Sequence, residues 1–173
     1  IRAGNESFAN LKPSDIPILD YLLLDKKYER FDVVSSRGCP YNCKFCSVNN
    51  SWKNGVRYRK INDIFDEMDK IIDIFGVESI HIADDNFASH YNRFKRFCEN
   101  VQRRIPGLSW SCFVRPENLK EPIVEMLLDS GCMGVFVGIE SGSQVLRRSL
   151  GKDFQNDLIL ENITYASKKI GVT

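Results

Sequence analysis

The chain has 173 residues, 43% of them hydrophobic and 27% charged, with a formal net charge of +1. That is enough apolar sequence for one globular domain, and the near-neutral balance removes any bulk electrostatic argument for nucleic acid. No uninterrupted apolar run reaches the length of a membrane span, nothing reads as a signal peptide, and six cysteines in so long a chain do not make a small secreted disulfide scaffold.

Residues 1–30 are mixed, with Pro13 and Pro17 interrupting any helix. Ile18, Leu19 and Tyr21 to Leu24 form an apolar patch, read as a short helical turn over the core or as part of a linker from an earlier domain. Phe31 to Ser36 reads as a first strand, and a cysteine-bearing loop leaves its end. Asn62 to Phe75 is the clearest helix, because Ile64, Phe65, Met68, Ile71, Ile72 and Phe75 make one stripe. Gly76 stops it. Val77 to Ala83 is a second strand, Tyr91 to about Arg104 a second helix, and Ser109 to Arg115 a third strand. Glu121 to Ser130 is a third helix with Pro122 in its first turn, Met133 to Ile139 a fourth strand, and Asn156 to Ile170 a further helix. Gly171 to Thr173 begins a fifth strand. Strict alternation of strand and helix predicts a parallel α/β sheet with right-handed crossovers.

Strand alternation sorts the side chains into two faces. Ile80 and Ile82, then Trp110, Cys112 and Val114, then Val135, Val137 and Ile139 are expected against the helices. The mixed faces should line the interior, and each ends in a charged residue at its C-terminal tip: Asp85, Arg115 and Glu140. Ligand sites of parallel α/β folds lie at those tips. Two readings stand: a zwitterionic ligand with hydroxyls, or a mutual salt-bridge network closing that end. His81 is expected inside the barrel with a hydrogen-bonding partner, His90 at a helix start, and Arg57 and Arg59 in solvent. Trp52 and Lys53 are expected in the loop after the cysteines.

Cys39, Cys43 and Cys46 are spaced Cys-x3-Cys-x2-Cys directly after the first strand. Three thiolates can hold three irons of a four-iron cluster and leave one iron open. Structural zinc usually takes four ligands, and His81 and His90, the only histidines, complete no such pattern. Cys98, Cys112 and Cys132 are scattered in sequence and read as buried reduced thiols.

The cysteine run, with Phe45 before its third member, resembles the radical S-adenosylmethionine (SAM) superfamily. Ser36 through Ser47, Val56-Arg57-Tyr58-Arg59, Asp84-Asp85-Asn86-Phe87, Gly138 through Ser143 and Gly151-Lys152 are similar to the branch that often carries an N-terminal cobalamin-binding domain. The resemblance covers about residues 33–173. It implies a partial (β/α) barrel of parallel strands, of which this chain supplies about four βα units, with residues 1–30 as a linker or extension and 31–173 as a core cut short at its C-terminal end.

It also implies a 4Fe-4S cluster on Cys39, Cys43 and Cys46, with SAM as cofactor. Phe45 would contact the adenine, Glu140 the ribose or amino group, Arg115 the methionine carboxylate, and Asp84 or Asp85 the amino group; Gly138 and Ser141 complete the cofactor set. Ala83-Asp84-Asp85-Asn86 stands where many members carry Gly-Gly-Glu. The implied activity is reductive cleavage of SAM to a 5′-deoxyadenosyl radical for methylation, cyclisation or rearrangement at an unactivated carbon. Cobalamin is expected on a domain outside this chain. The expected partners are an external electron donor, missing segments of the same protein and an unidentified substrate; the expected compartment is the cytoplasm. The alternatives are a cobalamin-free enzyme modifying a peptide or RNA, and a zinc-stabilised module without catalysis.

Overall fold

A computed structural model describes residues 19–24, 28–52 and 55–173. Pro13, Pro17, Ile18 and Lys53 lie outside the described residues. The elements in chain order are β1 (Phe31–Val33), β2 (Ser36–Arg37), α1 (Val48–Ser51), β3 (Arg57–Tyr58), α2 (Ile61–Phe75), β4 (Ser79–Ile82), α3 (Tyr91–Arg104), β5 (Ser109–Val114), α4 (Glu121–Asp129), β6 (Cys132–Val137), α5 (Gln144–Ser149), α6 (Asn156–Ser167) and β7 (Gly171–Val172). Five strands form one parallel sheet in the order β1-β4-β5-β6-β7. This is a partial α/β barrel with the expected alternation of strand and helix, in which β1 and β7 do not pair among the described residues. No helix among the described residues is long and apolar enough to cross a membrane.

The core lies between the sheet and its helices. Ile64, Phe65, Met68 and Ile71 of α2 have no exposed surface, and each such side chain stabilises the fold by about 1.5–3 kcal/mol. Phe87, Phe94, Phe97 and Trp110 meet edge to face behind β5, and the Trp110 indole N–H donates to the Ser130 carbonyl at 2.8 Å. The expected face assignment holds for Ile80, Ile82, Trp110, Cys112, Val114 and Val135, which are buried, while Phe113 and Phe136 face the open side. Val137 is half-buried against the core, and Ile139, beyond the end of β6, is exposed instead of packed on the helices. Tyr21, in a 3-10 turn, packs on Phe31 and Phe75, so the end of the first thirty residues is part of this core.

Three further expectations need correction. The first strand is not continuous to Ser36: β1 ends at Val33, and β2 turns away to pair antiparallel with β3. The fourth strand starts one residue earlier, at Cys132, and a bulge follows, because Trp110 pairs with Cys132 while Ser111 pairs with Gly134. The extra residue, Met133, puts Cys132 on the helix side with Val135. Cys132 thereby reaches Cys112, with Cys98 close by, so these scattered residues meet in the core. Arg59 is not solvated; its guanidinium donates to the Val34 carbonyl at 2.8 Å and to Glu67 at 2.5 Å.

Candidate active site

The cysteine loop sits on the C-terminal edge of the sheet and is fixed from below. Asp84, 2% exposed at the end of β4, accepts four hydrogen bonds. Ser35 and Ser36 donate their backbone N–H groups to its Oδ1 at 2.6 and 2.9 Å, and their hydroxyls to its Oδ2 at 2.6 and 2.5 Å. Asp85 accepts from the Gly38 N–H at 3.0 Å. Adjacent carboxylates therefore grip the chain on the approach to Cys39, and they explain why β1 breaks: the amides that would continue its ladder turn to Asp84. Arg93 donates to the Ser35 carbonyl at 3.0 Å and lies over the Tyr58 ring, tying α3 to the same point. Below Arg59, the Tyr21 hydroxyl donates to Glu67 at 2.5 Å, and burial, then that carboxylate, pushes the phenol pKa up.

Glycines let the loop pass close to its neighbours. Gly38 has φ +94°, and a Cβ there would stand 2.7 Å from the Gly55 carbonyl oxygen. Gly151, at φ +76°, lies against the far side of the loop, where a Cβ would come 3.1 Å from the Asn42 carbonyl oxygen and 3.6 Å from Cys43 Cα. Both positions need a residue without a side chain. The Lys44 N–H donates to the Leu150 carbonyl at 2.9 Å, completing that seam.

Cys43 is buried, and Cys39 and Cys46 are half-buried. Burial pushes the Cys39 thiol up, against the opposing pull of the Tyr41 backbone N–H and the Arg115 charge. Among the described residues no three Cys, His, Asp or Glu side chains are gathered tightly enough to hold a metal ion. The three thiols share one eight-residue loop, so a cluster would need to draw them together. The histidines are engaged elsewhere. His81 Nδ1 lies 2.8 Å from Ser111 Oγ on the inner face of the sheet, and His90 caps α3. The donor chemistry on the loop is thus three sulfurs, which suits a cluster with one open iron.

The opposite wall comes from β6 and the turn after α5. Glu140 has φ +68°, and the Ser141 N–H returns to the Ile139 carbonyl at 2.9 Å, a tight and strained turn for a residue with a side chain. Arg147, 1% exposed, holds that turn by donating to the carbonyls of Ser141 at 2.6 Å and Phe154 at 3.0 Å. The Ser141 hydroxyl accepts from the Ser143 N–H. Lys152 is 6% exposed, and its ammonium donates to Glu140 Oε1 at 3.0 Å and lies 5.9 Å from the Phe45 ring centroid. A Cβ on Gly138 would meet this pair, at 2.5 Å from Glu140 Oε1 and 2.9 Å from Lys152 Nζ. Phe45 itself is half exposed.

The structure thus brings Phe45, Gly138 and Glu140 together around Lys152, with Ser141 next to Glu140, while Asp85 holds the other side of the loop at Gly38. Asp84 and Arg115 have other partners. Asp84 is filled by Ser35 and Ser36, and Arg115 pairs with Glu117 at 2.5 Å and points an N–H at Cys43 Sγ at 3.3 Å. The three charged tips do not form a mutual network; each has its own partner. Sequence reasoning missed Lys152 and Arg147 as site residues. Gly151-Lys152 was visible as a motif, but a lysine's burial has no sequence signature. Arg147 looks like any basic residue of a helix's last turn.

A model of the radical SAM superfamily matches residues 33–173. The chain belongs to the radical SAM superfamily. It is 26% identical over 160 residues to an uncharacterized methyltransferase of Pyrococcus horikoshii, a match covering 89% of this chain and 35% of that protein. It is 28% identical over 138 residues to the cytidylyl-2-hydroxyethylphosphonate methyltransferase of Streptomyces wedmorensis, covering 76% and 25%. The fold is shared with the radical SAM methyltransferase TsrM of Kitasatospora setae, solved with tryptophan and a SAM analogue, at a TM-score of 0.75 and 19% identity over 85% of this chain and 29% of that one. The same enzyme has been solved with cobalamin and a [4Fe-4S] cluster bound. This radical SAM chain therefore spans about a third or less of the length of the relatives named here.

Proposed function

We propose that this chain is the SAM-cleaving core of a cobalamin-dependent radical SAM enzyme that methylates an unactivated carbon. The observation that carries the reading is the loop of Cys39, Cys43, Phe45 and Cys46 seated at the sheet's C-terminal edge beside the Glu140–Lys152 pair. Supporting it, relatives named as methyltransferases are 26% and 28% identical to this chain over most of its length, and a structural neighbour holds both cobalamin and the cluster.

Cys39, Cys43 and Cys46 would hold three irons of a 4Fe-4S cluster. When bound and reduced, that cluster supplies the electron that splits SAM into methionine and a 5′-deoxyadenosyl radical. The remaining roles belong to this chain's side chains. Phe45 offers an apolar face for the adenine. Glu140 presents its one-third-exposed carboxylate to the ribose hydroxyls or the amino group. The Lys152 ammonium has three donors and gives one to Glu140, so it can also take a ligand carboxylate. Gly138 leaves room for that pair, Ser141 braces the turn, and Asp85 holds the loop through Gly38. Asp84 takes the positioning role set by its four hydrogen bonds.

An external one-electron donor, a carbon substrate and further segments of the same protein are the partners this reading needs, and the cytoplasm is its compartment. The test is turnover by the full-length protein, reconstituted anaerobically with iron, sulfide and cobalamin and given a low-potential reductant. Release of 5′-deoxyadenosine and methionine from SAM, lost in Cys43→Ala, is expected. A protein that carries four irons but leaves SAM intact under all of these conditions contradicts the reading.

A further inference from the structure

We infer that Arg115 is a redox-tuning residue, whose guanidinium donates an N–H to the sulfur of Cys43 and makes the cluster on that loop easier to reduce. This rests on the functional reading above, and it concerns one ligand sulfur and one side chain that the structure already places together. Arg115 Nη1 lies 3.3 Å from Cys43 Sγ in a buried contact. That distance is within the range of an N–H···S hydrogen bond, and a charged donor strengthens it.

Three contacts fix the guanidinium in this pose. Its Nε donates to Glu117 Oε1 at 2.5 Å. Its plane lies over the Tyr41 ring with 3.8 Å from the guanidinium carbon to the ring centroid, and Phe154 stands 5.8 Å off on another side. The backbone that carries it is pinned as well, because Asn162 donates to the Pro116 carbonyl at 3.0 Å. Tyr41 belongs to the cysteine loop itself, so the stacking moves with the sulfur that the guanidinium contacts. The residue is 8% exposed, which keeps the interaction out of water and unscreened by salt.

The same contacts argue against Arg115 as the partner of the methionine carboxylate. Two of its three nitrogens are committed, so the fork that would grip a carboxylate is not presented. Glu117 Oε2 is buried beside it with no hydrogen-bond partner among the described residues. A second carboxylate brought to this arginine would meet that uncompensated oxygen. Lys152, whose ammonium gives one of its three donors to Glu140, keeps donors for it.

The step that Arg115 biases is uptake of one electron from an external low-potential donor, taking a four-iron cluster from the 2+ to the 1+ state with no proton or group transferred. The added electron increases negative charge on the sulfurs. A positive N–H donor on one of them stabilises the reduced state more than the oxidised state, so the potential rises. Nothing in this depends on Arg115 touching SAM.

The experiment uses the full-length protein reconstituted anaerobically, as wild type, Arg115→Gln and Arg115→Lys. Iron and sulfide are counted, and the cluster is titrated by EPR-monitored potentiometry. With four irons retained, the midpoint should move to more negative potential in Arg115→Gln, and Arg115→Lys should recover part of the shift. An unmoved midpoint in fully loaded Arg115→Gln overturns the inference and leaves the functional reading standing. A wild type that takes up no four-iron cluster overturns the functional reading instead. Where the variants fail to load, wild type grown on guanidino-15N arginine decides: a 15N coupling to the reduced cluster in pulsed EPR supports the contact, and its absence overturns it.

Discussion

Replacing Asp84 with alanine should loosen the approach to the cysteine loop more than any other single change at the strand tips. The carboxylate is 2% exposed and accepts from two backbone N–H groups and two hydroxyls. The hydroxyls can rotate to other acceptors, but the amides of Ser35 and Ser36 cannot. Each buried donor left without a partner costs about 1–3 kcal/mol, so the pair costs about 4 kcal/mol. At about 1.4 kcal/mol per tenfold, that is nearly three decades in local opening. Asp84→Asn keeps an acceptor for both amides and turns its NH2 to the hydroxyls, so its effect should be on the order of one decade. Hydrogen exchange across residues 34–40 of the full-length protein measures this directly, with iron content after reconstitution as a second reading. Equal protection in wild type and Asp84→Ala would refute the anchoring role.

Other consequences can be checked in the same protein. Gly38→Ala should lower iron uptake, because φ +94° costs a side chain about 1–3 kcal/mol and the new Cβ would sit 2.7 Å from a backbone oxygen; normal loading would contradict the close approach. Glu140→Ala should leave four irons in place and weaken SAM about tenfold or more in equilibrium binding, the loss of one charge-assisted hydrogen bond; unchanged affinity would remove Glu140 from the cofactor wall. Burial pushes the Cys98 thiol from its ordinary 9.0 up to about 12. The folded state then keeps a proton that the unfolded chain releases, so this contribution is full below pH 9 and is lost as pH rises toward 12. Cys98→Val should flatten that part of the pH dependence of unfolding, and an identical slope in wild type and variant would show that the burial does not matter.

Much of this architecture was legible because its determinants are local and periodic. The α2 stripe and the alternation along β4 and β5 name their buried faces correctly, since period and pleat alone decide which side chain points where. Along β6 they do so for Val135 but not for Ile139, which is exposed. Two-residue strands carry no such period, so β2 and β3 were invisible. Their existence follows from Asp84, a contact across 48 residues of sequence that no window detects. The short helices α1 and α5 escaped for the same reason. The meeting of Cys112 with Cys132 depends on one bulge residue, Met133, whose insertion shifts the face of its neighbour.

At the site, the cysteine spacing told what chemistry to expect, but not which charges face it. Asp85, Arg115 and Glu140 reach the strand tips as alternation requires. Their partners could not be read from the sequence, because Glu117, Lys152 and the Gly38 amide arrive from loops whose paths depend on packing. Arg115 illustrates the difference: parity placed it at the mouth, and only the fold showed it turned toward a sulfur and stacked on Tyr41.

The central claim is that Cys39, Cys43 and Cys46 hold a cluster with an iron open to SAM. EPR of the reduced, anaerobically reconstituted full-length protein, recorded with and without SAM, tests it most directly. The account predicts four irons per chain, a spectrum that changes when SAM is added, and loss of the signal in Cys43→Ala. A colourless protein holding one tightly bound zinc, or a four-iron spectrum indifferent to SAM, would contradict it.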